Sequence, residues 1–367
     1  MWPDRRALDL FKIDLPIIQA PMAGSSGAEL AIAVAEAGGL GSLPCAMLSE
    51  EQTRAAYQLV RQGTSRPINL NFFCHAAPAA DAKRDAVWAK RFEPYYHEFK
   101  LDPAALPTLP NRAPFGDTTC TLLEELKPAV VSFHFGLPAP RLLERVKATG
   151  AVVLSSATTV EEARWLEREG ADAVIAQGAE AGGHRGMFLT SDLATQVGTF
   201  ALVPQIVDAV RLPVIAAGAI ADARGIVAAF ALGAAAVQIG TAYLRCPEAK
   251  TSAVHRAALA SAQDNDTVLT NVVTGRPARG IVNRLIREQG PIDEAAPPFP
   301  TAAAASFALR QRAESQNSGD FSPLWSGQAS ALARPLPAGD LTKRLAREAL
   351  ARLGPQTTRI WAPAKGN

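Results

Sequence analysis

Cysteine is scarce in this sequence: Cys45, Cys74, Cys120 and Cys246 are the four in 367 residues, and no two lie closer than 29 positions. That spacing excludes a C-x-x-C zinc or dithiol centre, and scattered thiols fit a reducing compartment. An excess of either charge is also missing, since 37 Lys and Arg stand against 35 Asp and Glu for a net +2. No global field then draws the chain to nucleic acid or to an anionic membrane, and neither is expected as a partner. The N-terminal stretch MWPDRRALDLFKIDLP carries Asp4, Asp9 and Asp14 where a secretory segment needs unbroken apolar residues, so a cytoplasmic protein is expected. One charge-free segment does reach bilayer length, the 20 residues between Arg224 and Arg245. Gly225, Gly233, Gln238, Gly240 and Thr241 interrupt it, which predicts a buried helix followed by a buried strand instead. With 48% apolar and 20% charged residues, the chain is expected to fold as one or two globular domains.

What is present in abundance is alternation. Short runs rich in Val, Ile and Leu are each followed by a longer segment of helical periodicity, the pattern of βα units around a parallel sheet. Eight candidate strands fall at 17–20, 41–44, 68–72, 129–133, 151–155, 173–177, 214–217 and 236–239. Those starting at 129, 151 and 173 are 22 residues apart, close to the minimum for a strand, a helix and two turns. Helices are expected at 28–37, ending at Gly38-Gly39, and at 160–169, starting after Thr159, with Asp222 as a further N-cap. Eight such units predict an α/β fold, a closed TIM (β/α)8 barrel. An open doubly wound sheet is the alternative, because periodicity does not separate the two.

Residues 1–245 are expected to form the barrel, with an insertion at 74–125 near its active-site mouth. The insertion holds Trp88, Phe92, Tyr95, Tyr96 and Phe99 in a helical stretch and a Pro-rich loop at 103–114. Residues 246–322 read as a smaller, mainly helical domain on the substrate side, and 323–367 as a segment returning to the barrel through an amphipathic helix at 338–353.

The most informative stretch is QGAEAGGHRG at 177–186, which directly follows a candidate strand. Gly182 and Gly183 let a backbone approach a ligand closely, and His184 is delivered at the barrel mouth, where a histidine on a glycine-rich loop reads as functional. Gly218 and the run Gln238, Ile239, Gly240 and Thr241 follow the seventh and eighth strands. Barrels bind phosphate there, through main-chain N–H groups and an adjacent helix N-terminus, and Thr241 adds a hydroxyl. QAPMAG at 19–24 ends the first strand, and Asn69 and Asn71 interrupt the third, where apolar residues would ordinarily stand. The amides of Asn69 and Gln177 suit the donor and acceptor edge of a flavin ring. His134, near the end of the fourth strand, either faces the same cavity or is structural. Arg276, Arg279, Arg284 and Arg287 lie within 12 positions and, on a near-neutral chain, read as a solvated or subunit-contact surface.

Together these motifs resemble the nitronate monooxygenase family, formerly called 2-nitropropane dioxygenases, which are FMN-dependent TIM barrels. The resemblance covers most of the chain and rests on QAPMAG at 19–24, AEAGGLGSL at 35–43, NLNFF at 69–73, VVSFHFGLP at 130–138, SSATTVEEA at 155–163, QGAEAGGHRG at 177–186, QIGT at 238–241, TGRPARGIVN at 274–283 and LWSGQ at 324–328. HFGLP, GGHRG and LWSGQ look like the class I branch, which does not depend on NAD(P)H. The resemblance implies oxidation of alkyl nitronates, with propionate 3-nitronate as the physiological toxin, by O2 to nitrite and an aldehyde or ketone. The implied route is one-electron transfer through a flavin semiquinone, with FMN as cofactor; no metal is expected, and a monomer or homodimer is expected as the working form.

By this resemblance His184 matches the catalytic histidine. Asn69, Gln177, Gly182, Gly218 and the run Gln238 to Thr241 match FMN contacts, and Met22 matches the residue lying against the isoalloxazine. Ala219 departs from the pattern, standing where relatives commonly carry a second glycine. Two alternatives stay open: an NAD(P)H-dependent flavin reductase of quinones or enoyl thioesters on the same barrel, and a non-redox phosphate-binding barrel.

Overall fold

A computed structural model describes residues 1–103 and 113–354. Most of the Pro-rich loop expected at 103–114 lies outside them, as does the chain beyond 354.

Eleven strands are found among the described residues: β1 (Ile17–Gln19), β2 (Gly41–Pro44), β3 (Ile68–Phe73), β4 (Val130–His134), β5 (Val152–Ala157), β6 (Ala173–Gln177), β7 (Gly183–His184), β8 (Val214–Ala217), β9 (Ala236–Ile239), β10 (Thr267–Thr270) and β11 (Ala278–Ile281). The eight strands expected from the sequence are β1–β6, β8 and β9. They pair in parallel in the order β1-β9-β8-β6-β5-β4-β3-β2. The two ends of that order meet: Ile18 bridges Leu40, and Gln19 N–H donates to the Leu40 carbonyl at 2.9 Å. The sheet therefore closes into a TIM barrel, and the open doubly wound alternative is excluded.

These strands are short apolar runs because both faces are covered, one by the barrel interior and one by helices. The helices start where capping residues stand. Thr159 Oγ1 accepts from Glu162 N–H at 3.2 Å to open Val160–Arg168, and Asp222 accepts from Arg224 N–H at 2.9 Å to open Ala223–Ala231. The charge-free stretch after Arg224 is that helix followed by β9, and no helix among the described residues is long and apolar enough to cross a membrane. The helix Ala338–Leu353 buries Leu341, Leu345 and Ala349 against the helices Ala28–Glu36 and Ala223–Ala231.

A second hydrophobic cluster sits over the barrel mouth, and it is built from two separated stretches. Helices Ala82–Lys90 and Glu93–Glu98 of the insertion bring Trp88, Phe92 and Tyr96 onto Val272, Leu285 and Leu309. Trp88 Nε1 donates to the Ala302 carbonyl at 3.1 Å, and the Tyr96 hydroxyl to that of Ala305 at 2.6 Å. The helix Asp117–Leu126, by contrast, belongs to the barrel ring, packing beside Pro140–Ala148.

The region after 245 is not as uniformly helical as its composition implies. β10 and β11 form an antiparallel hairpin whose outer partner is β7, so that Ala278 pairs with His184 and Arg279 with Gly183. These strands escape a sequence reading because they are four and two residues long, with Arg279 and Gly280 in place of an alternating apolar pattern.

Candidate active site

A cavity of about 450 Å³ opens at the C-terminal ends of the barrel strands, beneath the second cluster. That is a size and a place typical of small-molecule sites. His184, His134, Met22, Gln177, Gly182, Gly183, Gly218, Gln238, Gly240 and Thr241 all line it. Asn69 and Ile239 do not. Asn69 points inward but is fully buried, donating to Ser42 Oγ at 3.0 Å, whereas Asn71, on the same face, lines the cavity and donates to Ser132 Oγ at 2.9 Å. Two residues of strand separate them by about 6.6 Å, so a ring at the mouth meets Asn71 first. Ile239 alternates with Gln238 and belongs to the apolar core of the barrel.

The histidine loop is tied down at nearly every polar group. Gln177 donates through Nε2 to the His184 carbonyl at 3.0 Å and accepts at Oε1 from Gly186 N–H at 2.7 Å. Its amide thus clasps the loop, a use that the flavin-edge expectation did not include. His134 Nε2 lies 3.1 Å from the same carbonyl and its Nδ1 lies 3.0 Å from Ser156 Oγ. Burial pushes the His134 imidazole down to about 3, so it is neutral. A carbonyl only accepts, which places the proton on Nε2 and makes the Ser156 hydroxyl the donor to Nδ1.

The basic cluster read as a surface is partly internal. Arg279, 9% exposed, donates from Nε to the Ala179 carbonyl at 2.8 Å, and Arg276 lies 3.9 Å over the Phe135 ring and donates to the Met187 carbonyl. They hold the two ends of the histidine loop, with Arg185 closing the Gln177 and Gly178 carbonyls at 2.6 and 2.7 Å. Glu162 fixes the onward chain by accepting from Phe188 N–H at 2.6 Å and Leu189 N–H at 3.2 Å. A glycine-centred turn, TGRPA, between two short β-prone runs was the available signal for these residues.

The His184 ring is caged by aromatic groups, with Phe299 at 5.2 Å and Trp325 at 5.4 Å between centroids, and its Nε2 lies 2.8 Å from Thr274 Oγ1. Behind Trp325 stands a second buried imidazole, His255, whose Nε2 lies 3.0 Å from the Trp325 carbonyl and which burial pushes down to about 4. Both His134 and His255 fall below the usual 6.5. The folded chain therefore binds fewer protons than the unfolded one in mild acid. This share of stability is complete above about pH 6.5 and is lost as the pH falls toward 3. Urea midpoints are expected to drop between pH 7 and pH 4, and less steeply in His255→Gln; parallel slopes would remove His255 from that account.

At the far side, residues 218–221 and 240–241 line the cavity. Asp222 takes up the Arg224 and Gly225 N–H groups at the start of Ala223–Ala231 and pairs with Arg224, so this part of the helix N-terminus is satisfied within the protein. Both loops lie at this end of the cavity. Thr241 Oγ1 accepts from Gly327 N–H at 2.9 Å, which leaves its proton to donate. Ala219 adopts φ +57, the left-handed conformation glycine takes freely, so the alanine keeps the loop geometry at a strain of about 1–2 kcal/mol. Gln238 Oε1 is buried and unpartnered in this lining, an acceptor ready for a ligand N–H. An unpartnered amide oxygen, further amides and the apolar Met22 side by side in one cavity suit the polar edge and flat face of a flavin ring.

The family model described as Nitronate monooxygenase matches residues 5–348. The chain is 43% identical over 341 residues to a nitronate monooxygenase of Pseudomonas aeruginosa strain PAO1, covering 92% of this chain and 97% of that one. Among solved structures it is similar to the nitroalkane oxidase from Streptomyces ansochromogenes, 37% identical with a TM-score of 0.85 over 97% of this chain and 99% of that one. It is also similar to FabK from Thermotoga maritima, 29% identical with a TM-score of 0.72 over the same shares. With a family match spanning barrel and mouth alike, the chain belongs to the nitronate monooxygenase family and is an oxidoreductase.

Proposed function

We propose that this enzyme oxidises alkyl nitronates, propionate 3-nitronate among them, with O2 to nitrite and an aldehyde or ketone, and that FMN is its cofactor. The observation that carries the reading is an imidazole, His184, held rigidly at a cavity that also offers an unpartnered amide oxygen and two loops. Gln238 Oε1 and the Asn71 amide would hold the ring edge, Met22 its face, and residues 218–221 and 240–241 the phosphate. When bound, the flavin supplies the redox chemistry.

The residues of the chain bind and orient. As imidazole, His184 accepts the α-proton of a neutral nitroalkane; as imidazolium, it holds the nitronate oxygens. A nitronate brings its own negative charge, so no strongly held proton has to be removed. Phe73, Phe299 and Trp325 surround the imidazole with apolar surface, which excludes water and strengthens that contact. His134 is neutral and cannot share in holding the anion by charge. Arg310 also lines the cavity, with Nε on Glu314 at 2.9 Å, and its guanidinium offers a counter-charge to the carboxylate of propionate 3-nitronate.

Anaerobic mixing of the yellow holoenzyme tests the reading. Propionate 3-nitronate is expected to bleach the flavin absorbance while NADH leaves it unchanged. Rapid bleaching by NADH with no response to nitronate would instead make the enzyme a reductase. A colourless protein that takes up no FMN would leave the phosphate-binding alternative.

A further inference from the structure

We propose that Thr274 is a positioning residue for His184, a role that rests on the reading of His184 given above. Thr274 stands in the connection between β10 and β11, is 5% exposed and lines the cavity. Its Oγ1 lies 2.8 Å from His184 Nε2. A threonine hydroxyl both donates and accepts. With the hydrogen on Nε2, Thr274 Oγ1 accepts from Nε2–H in the neutral imidazole and in the imidazolium alike, so one group keeps the ring in a single orientation while Nδ1 gains and loses the substrate's proton.

The same hairpin grips the histidine a second time, at its backbone. Ala278 of β11 pairs with His184, and Arg185 N–H donates to the Pro277 carbonyl at 2.8 Å. Main chain and ring are thus both referenced to one rigid element. The tip of that element is itself locked: Gly275 N–H donates to the Asn271 carbonyl at 2.7 Å, and the Asn271 side chain spans both N–H and carbonyl of Asp293 at 2.9 Å. A hydroxyl at position 274 therefore arrives at Nε2 with little freedom, which is what orientation of a general base requires.

The test compares Thr274→Val, which keeps the shape and loses the hydroxyl, with Thr274→Ser, which keeps the hydroxyl and loses the methyl. In the holoenzyme, the Val variant is expected to lower kcat on neutral nitroethane roughly tenfold with little change in KM, and the Ser variant to recover most of that rate. The imidazole ¹⁵N spectrum, with the His184 signals identified by their loss in His184→Asn, gives a readout independent of turnover. The Nε2 resonance should move in the Val variant and return in the Ser variant. A Val variant equal to the parent in rate and resonance overturns the proposal. So does a Ser variant as slow as Val with an unmoved resonance, because packing would then be the cause. If the parent itself fails to oxidise nitronates, the functional reading falls, and the resonance alone still decides whether Thr274 sets the ring.

Discussion

Replacing His184 with asparagine is expected to lower turnover of neutral nitroethane by roughly 10²–10⁴-fold, the range for a lost general base, while turnover of ethyl nitronate falls about tenfold or less. The asymmetry comes from the substrates. Nitroethane must give up an α-proton before it can be oxidised, and asparagine has no basic nitrogen to take it. The nitronate has already lost that proton and needs only a hydrogen-bond donor, which the asparagine amide supplies. The fold should be indifferent, because β7 pairs with β11 through main chain and the clasp by Gln177 and His134 falls on the His184 carbonyl. Steady-state rates on both substrates at one pH, alongside a thermal melt, make the comparison. Equal losses on the two would deny His184 a base role.

Gly275→Ala should be the most damaging single methyl added near the site. Gly275 has φ +87, and a Cβ there would lie 2.0 Å from the Pro297 carbonyl oxygen and 2.8 Å from Phe299 N. Those neighbours are backbone and have no rotamer to escape into, so either the hairpin tip or residues 297–299 must shift. Each route disturbs His184, the first through Thr274 and the second through the Phe299 ring. A cost of about 3 kcal/mol and a roughly 10²-fold loss of nitronate turnover are expected. Gly150→Ala is the matching control, since Gly150 also has φ +87 but nothing within 4 Å of an added Cβ. It should show only the conformational strain, about 1 kcal/mol. Urea unfolding of the pair separates the two contributions, and equal destabilisation would discard the clash.

The barrel was legible because its strands are short continuous apolar runs punctuated by Gly38-Gly39, Thr159, Gly170 and Asp222, and each marker proved to be a helix end or cap. The histidine loop was legible for a similar reason: four glycines after a buried strand leave few other conformations. Depth was not. Periodicity assigns Asn69 and Asn71 to one face but says nothing of which layer reaches the cavity, and only the register of β3 beside β4 shows that Asn71 does. Alternation with Gln238 was enough to turn Ile239 away from the mouth. The arginine cluster misled because a sequence shows the cations and not the carbonyl groups that Arg276 and Arg279 meet some 90 to 100 residues away. The aromatic helices of the insertion were visible, while their partners in 268–325 became evident only in three dimensions.

That shared aromatic cluster limits how relatives can be recombined. Substrate preference in such a scaffold invites loop grafting, yet the helices at 82–98, the histidine loop and the hairpin with its following helices are mutually fitted surfaces drawn from three distant parts of the chain. A chimaera with a crossover between residues 101 and 176 would join one parent's Trp88 and Phe92 to the other's Val272 and Leu309. Inheritance of the mouth is therefore all or nothing, and a workable single junction lies ahead of residue 82, such as between the helix Glu50–Gly63 and β3, on the opposite rim.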